Sequence, residues 1–220
     1  MNKGKIVGLA FAMVLSMSTA HAALITLSGA QWPPAGSTGL EAVQFNVVTG
    51  GGTTVALGAH PYKNGATMPN NGIDTFYAPF GFYAAENRAN WSFDFMVDPG
   101  QCTTCVARLE MDVDPGIGQD WKTFGYQPVT GVAKDSWNLE MDFLESAFSY
   151  DFNPNVSGQY DFRLSVNAPD ARVPLATTFI SVVVDDREGT VPEPASWALA
   201  LPALIGMSLM RRRRNTVSVN

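Results

Sequence analysis

The sequence predicts an all-β sandwich, and three observations carry that prediction. Apolar side chains recur at every second position in several separate stretches, and glycine, proline, asparagine and aspartate cluster between those stretches. No segment between residues 23 and 190 carries a convincing amphipathic helical period. Side chains two apart share one face of a strand, so this alternation describes strands with one buried face and one wet face.

Taken in chain order, Val43, Phe45 and Val47 suggest a first strand. The region up to about Tyr83 is poorer in signal, with Gly50, Gly51 and Gly52 in a row and many small polar residues, and it reads as short strands and long loops. Within it, Asn70-Asn71-Gly72 reads as a tight turn, because asparagine and glycine accept the backbone angles such turns need. Trp91, Phe93, Phe95 and Val97 alternate with Ser92, Asp94 and Met96. Residues 106–113 alternate partly, with charge opposite Leu109, Met111 and Val113. Trp137, Leu139, Met141 and Phe143 repeat the pattern against Asn138, Glu140 and Asp142, and Tyr160, Phe162, Leu164 and Val166 repeat it again. A last strand covers residues 176–185, with Phe179 to Val184 as its apolar run. Two sheets packed face to face bury such one-sided strands most economically.

The stretch Asn155-Val156-Ser157-Gly158-Gln159-Tyr160-Asp161-Phe162 resembles the tyrosine-corner segment of immunoglobulin-like domains. In that motif a glycine and then a tyrosine enter a late strand, and the tyrosine hydroxyl ties down the preceding turn. The resemblance implies an immunoglobulin-like antiparallel β-sandwich. Phe162 stands where antibody domains place a cysteine, so the disulfide between the sheets is absent.

Both ends of the chain read as targeting segments. Lys3 and Lys5 precede an apolar run over residues 6–17, and Ala20-His21-Ala22 fits the small-residue site of a secretory signal, so residues 1–22 form a signal peptide cleaved after Ala22. At the other end, Val191-Pro192-Glu193-Pro194 precedes an apolar run over residues 195–210, which stops at Arg211, Arg212, Arg213 and Arg214. The run has 16 residues, slightly under the roughly 17 to 25 that a membrane helix needs, so flanking residues must help it span. Trp197 suits the headgroup region near its outer end, and the four arginines favour the cytoplasmic side. Pro202 falls inside the run and removes one backbone hydrogen bond, a loss that membrane helices tolerate.

The Pro-Glu-Pro element, apolar stretch and arginine cluster, in that order, resemble the PEP-CTERM sorting signal, which here covers residues 191–214. The resemblance implies a substrate of an exosortase, a membrane enzyme that cuts at or near Pro-Glu-Pro. It makes Val191, Pro192, Glu193 and Pro194 recognition residues and gives the protein an inner-membrane intermediate. The mature domain would then be anchored on the cell envelope of a Gram-negative bacterium or released outside it. Proteins of this class are often associated with exopolysaccharide and biofilm matrix, and their partners are the exosortase and the export machinery.

Removing both ends changes the charge that matters. The chain holds 14 basic and 20 acidic residues, and six of the basic ones but only Glu193 among the acids lie in the targeting segments, which leaves 8 against 19, or −11, for residues 23–190. Such an acidic domain disfavours nucleic acid and anionic lipid as partners. Its 168 residues suit one domain with a sizeable core.

Candidate chemistry within this domain is sparse. Cys102 and Cys105 are the only cysteines, in the loop between two predicted strands. In an oxidising compartment they read as a local disulfide that stiffens the loop. A redox-active pair would open a helix in a βαβ setting, which the sequence lacks, and zinc would want four ligands. His60 is the one histidine of residues 23–190 and reads as a surface-loop residue before Pro61, which restrains Ser-His-Asp and Cys-His schemes. Asp112, Asp114 and Asp120, in a glycine-containing loop, are the candidate ligands for calcium, although Gly116 and the missing glutamate depart from an EF-hand. Trp32, Trp121 and Trp137 are candidates for stacking on sugars. Trp137 alternates like a core residue, and Trp121, beside Asp120 and Lys122, reads as exposed and is the glycan candidate.

These readings converge on an exported envelope or matrix protein with a structural or binding role and no enzymatic activity. A carbohydrate-binding or adhesive module contacting exopolysaccharide is one alternative. A secreted hydrolase that uses a carboxylate pair is the other, and it would need that pair to line a cleft.

Overall fold

A computed structural model describes residues 23–27, 43–63 and 67–185. The fold is all-β. The first sheet holds β1 (Ile25–Thr26), β2 (Gln44–Gly50), β3 (Thr53–Pro61), β7 (Trp91–Asp98) and β10 (Ala133–Trp137), in that spatial order. In the second sheet the order is β4 (Thr75–Pro79), β12 (Ala176–Asp185), β11 (Gly158–Asn167), β8 (Val106–Asp112) and β9 (Trp121–Pro128). A small hairpin, β5 (Phe82–Tyr83) with β6 (Arg88–Ala89), and one helix, α1 (Asp142–Phe148), complete the described elements. Pairing is antiparallel except between β4 and β12, which run parallel.

One core fills the space between the sheets. Phe93 of β7 stacks on Phe162 of β11 at 4.7 Å between ring centres, and Trp91 meets Phe162, Tyr160 and Phe152. Phe162 therefore bridges the layers with an aromatic contact, and each such buried ring contributes on the order of 2 to 3 kcal/mol. Tyr160 is buried, and its hydroxyl donates to the Val156 carbonyl at 3.2 Å, the tie that the Gly-x-Tyr segment predicts.

Several expectations need correction. The middle of the first sheet, β3 and β7, is buried on both faces: Ser92, Asp94 and Met96 of β7 are as inaccessible as Trp91 and Phe93. A second apolar cluster, Leu27, Val43, Phe45, Ala56 and Met96, lies on that outer face, so what reads as a wet face is covered. In β8, Glu110 and Asp112 are likewise buried and hydrogen-bonded, not solvated. The weak region before Tyr83 also holds β3, nine residues long and buried almost throughout; a strand covered on both faces need not alternate.

The strand expected across Trp137 to Phe143 ends at Trp137, and Asp142 to Phe148 is helical. Leu144 and Phe148, four apart, form the buried face of this short helix, while Asp142 and Glu145 place negative charge in its first turn. Ser149 ends it in a left-handed conformation, its amide donating to the Glu145 carbonyl. Asn138 and Leu139 are both buried, which breaks the period of two. The predicted Asn70-Asn71-Gly72 turn is present: Asn71 Oδ1 accepts the amides of Ile73, Asp74 and Thr75, and Gly72 has φ +78°.

The two ends of the sandwich are built differently. At one end lie the Gly50–Gly52 turn, the β7–β8 loop with Cys102 and Cys105, and the β11–β12 connection. At the other, where β12 terminates, lie the β8–β9 loop, the β5–β6 hairpin and the turn before β11. Val184 pairs with Gly158, Asp185 with Pro79, the Gln159 amide donates to the Pro115 carbonyl, and the Gly81 amide donates to the Pro154 carbonyl.

Candidate functional site

The end at which β12 terminates carries a cleft of about 290 Å³. It forms where the β6 strand, the β10–α1 turn, the first turn of α1 and the chain before β11 converge. Glu86, Arg88, Glu140, Asp142, Glu145 and Asp151 line it, over a floor that includes Leu139 and Phe152.

Asn138 explains why these groups meet. Its buried amide donates to the carbonyls of Ala89 and Trp91 and to Ser92 Oγ, while its Oδ1 accepts the amides of Ala89 and Glu140. One side chain thus joins β6, β7 and the turn leading into α1. From β6, Arg88 donates through Nη1 to the Glu140 carbonyl.

The cleft's carboxylates sit in contrasting surroundings. Glu86 accepts the Lys63 ammonium at 2.9 Å and the Tyr62 hydroxyl at 2.7 Å, and these hydrogen bonds, Lys63 first, hold its carboxyl below the usual range. Glu140 is shifted the other way, chiefly by burial and then by the nearby negative charge of Asp151 and Glu145, with Arg88 opposing. Its Oε1 is buried without a hydrogen-bond partner. Environments that push two carboxyls apart are what acid and base roles require.

The other sequence candidates do not join this cleft. Asp112, Asp114 and Asp120 lie in the β8–β9 loop at the same end. Asp112 Oδ1 accepts the amides of Asp114 (3.1 Å) and Asp120 (2.7 Å), Asp114 Oδ1 accepts the amide of Gly116 (2.8 Å), and Asp120 pairs with Lys122 (2.9 Å). The loop's own amides and one lysine therefore occupy them. Among the described residues no group of three histidine, cysteine or acidic side chains is arranged to hold a metal ion.

Trp121 is not the freely exposed ring the sequence suggests. It is half-buried on the outer face of the second sheet, with the Arg163 guanidinium 4.6 Å from its ring centre and Phe179 beside it at 6.4 Å. Arg163 is itself held by Glu110 Oε2 at 2.7 Å, and Arg108 pairs with the same carboxylate. Trp137 packs against Phe95, Phe124 and Phe143, as a core residue should.

His60 is a second correction. It is not in a loop but on β3, only 6% exposed, with Nδ1 2.8 Å from Asp94 Oδ2. Cys102 and Cys105 form the expected disulfide between β7 and β8. Trp32, the cleavage residues Ala20 and Ala22, the sorting residues 191–194 and Arg211 to Arg214 lie outside the described residues. So does the apolar run 195–210; among the described residues no helix is long and apolar enough to cross a membrane.

The sequence reading missed the cleft and Asn138. Leu144 and Phe148, spaced at i and i+4 behind two acidic residues, are the signal that would have revealed the helix and hence the turn before it. Compared with known proteins, the chain matches no protein-family model and no curated protein.

Proposed function

We propose that this protein is an exported cell-envelope or matrix protein, sorted and processed by an exosortase, whose delivered domain has a structural or binding role and no enzymatic activity. One observation carries the proposal: the ordered Pro-Glu-Pro element, apolar run and arginine cluster over residues 191–214, opposite a signal-like N-terminus. A disulfide in a two-cysteine chain suits an oxidising compartment and supports export. The delivered domain reads as immunoglobulin-like. Supporting this are the buried Tyr160 with its hydroxyl on Val156, and the run of β11 and β12 beside β8 and β9 while β7 lies in the opposite sheet. Binding to exopolysaccharide remains part of the reading, with Trp121 and its ring neighbours as the sugar-facing candidates.

The test is a pair of substitutions, Pro192→Ala with Pro194→Ala, expressed in a host that has the sorting enzyme. The wild-type chain is expected to lose its C-terminal segment and the variant to keep it. Identical processing of the two, or unchanged processing in cells lacking the enzyme, would remove the sorting proposal.

A second reading, a secreted hydrolase, draws on the cleft, where Glu140 is raised and Glu86 lowered. Under it Glu140 is the proton donor to a leaving oxygen and an ionised neighbour is its partner. Hydrolysis of any member of a glycan panel by the wild type, abolished in Glu140→Gln, would establish it; no turnover by the wild type would leave the binding role standing.

A further inference from the structure

We infer that the end of the domain at which β12 terminates rests on a lipid surface, with Ile117, Phe82 and Tyr83 as the side chains that enter it. The inference rests on the reading of residues 195–210 as a membrane segment, and adds to it a contact face and an orientation.

Two tips lie at this end. The β8–β9 loop reaches it through Pro115, whose carbonyl accepts the Gln159 amide at the start of β11. The β5–β6 hairpin reaches it directly after β4, beside the last residue pair of β12. Ile117 is 109% exposed, between Gly116 and Gly118, and Phe82 and Tyr83 are each 37% exposed.

The loop that carries Ile117 is not slack. Asp112 Oδ1 grips the amides of Asp114 and Asp120, Asp114 Oδ1 grips that of Gly116, and the Val113 amide donates to the Asp120 carbonyl. Those bonds hold the isoleucine outward. Tyr83 is fixed by an edge contact with Tyr62 at 5.5 Å. An aliphatic tip and two aromatic rings at one end of the domain are the composition that the boundary between headgroups and acyl chains favours.

The chain's course says what lies opposite this end. Nine residues, 186–194, separate Asp185 from the apolar run, so the ten steps from Asp185 to Ala195 reach at most about 33 to 36 Å when extended. The opposite end, with Val173, stands roughly 30 Å further along the ten-residue β11. The β12-terminal end is therefore the nearer one to a bilayer that holds residues 195–210, and the opposite end would need the whole tether stretched back along the domain to reach it. Glu86, Asp114 and Asp120 flank the tips, and Lys63 and Lys122 are already paired with Glu86 and Asp120. The contact thus fits zwitterionic lipid and is weakened by anionic lipid.

The test uses the full chain reconstituted into phosphatidylcholine vesicles, with Ile117→Cys labelled by an environment-sensitive fluorophore while Cys102 and Cys105 stay oxidised. Ile117 touches no core, so the substitution leaves folding intact. Val173→Cys, labelled in the same way, is the control. Flotation with the vesicles reports the membrane segment, and quenching by brominated lipid reports the contact. Expected are flotation of both chains and severalfold stronger quenching at position 117 than at 173. That quenching should decline as phosphatidylglycerol replaces phosphatidylcholine, and when Phe82→Ser and Tyr83→Ser are added. Flotation with equal, weak quenching at both positions overturns the inference and leaves the membrane segment standing. A blue shift at 117 without lipid quenching puts a second copy of the chain there, and also overturns it. Failure to float removes the membrane segment and the inference together.

Discussion

The two ends of this sandwich are closed by different means. At the disulfide end the devices are covalent and steric: Cys102 is bonded to Cys105, and Gly100, with φ +58°, lies so close to the Gly52 carbonyl that a Cβ there would meet its oxygen at 2.0 Å. Where β12 terminates, the devices are polar side chains that bond to main chain: Asn138 across three segments, Asp112 across its loop and Tyr160 on the turn before its strand. The first kind of closure leaves little surface chemistry. The second gathers charged and aromatic groups around a cleft, and that is where partner contacts are most readily built.

The comparison can be broken at either end. The largest effect is expected for Asn138→Ala, which leaves several buried backbone groups without partners; a loss of about 3 kcal/mol is expected. Urea titration reads it, and a loss within experimental error would mean that Asn138 is not the knot described. Next comes Asp112→Ala, expected to lose about 2 kcal/mol as two loop amides lose their acceptor. Because the carboxylate already serves those amides, the loss should be the same in chelator and in calcium; a loss seen only with calcium would restore the ion-binding reading. Cys102→Ser with Cys105→Ser should have a smaller effect, under about 2 kcal/mol, since so short a loop gains little from closure in the chain-entropy picture. A larger loss would show that the disulfide end depends on its covalent bond more than on its glycines.

The smallest effect concerns acidity. Glu140 has its carboxyl raised by burial in the cleft, so the folded protein binds this proton more tightly than the unfolded chain does. Stability from this group is full below the ordinary glutamate value of about 4.3 and is lost as pH rises through the folded value. Glu140→Gln should therefore raise the melting temperature slightly at neutral pH and make no difference in acid, with the side chain's partial exposure keeping the gain small. Melting curves at several pH values read the sign, and a variant less stable at pH 7 would contradict it.

How much of this was legible depended on how each segment is covered. Tyr160 to Val166 alternates because one face of β11 meets the core, and that strand and its tyrosine tie could be read directly. β3 and β7 are covered on both faces, so Ser92 and Asp94 looked wet when they are buried, and His60 looked like a loop residue when it sits on a strand. Periodicity sees composition, not the second layer lying over a face. The helix was hidden for another reason: Trp137, Leu139, Met141 and Phe143 fall two apart by coincidence across a strand end, a turn and a first helical turn. The cleft was invisible because its carboxylates come from segments far apart in sequence, brought together by a single asparagine. The disulfide needed only spacing and compartment, and was read correctly.

The central claim is that both ends of this chain are removed during export to leave the all-β domain in the envelope. Intact mass spectrometry of the protein isolated from that fraction tests it most directly. The account predicts a chain that begins at Ala23 and stops at or near residues 191–194; a full-length chain, recovered from the cytoplasm with residues 1–22 and 195–220 still attached, would contradict it.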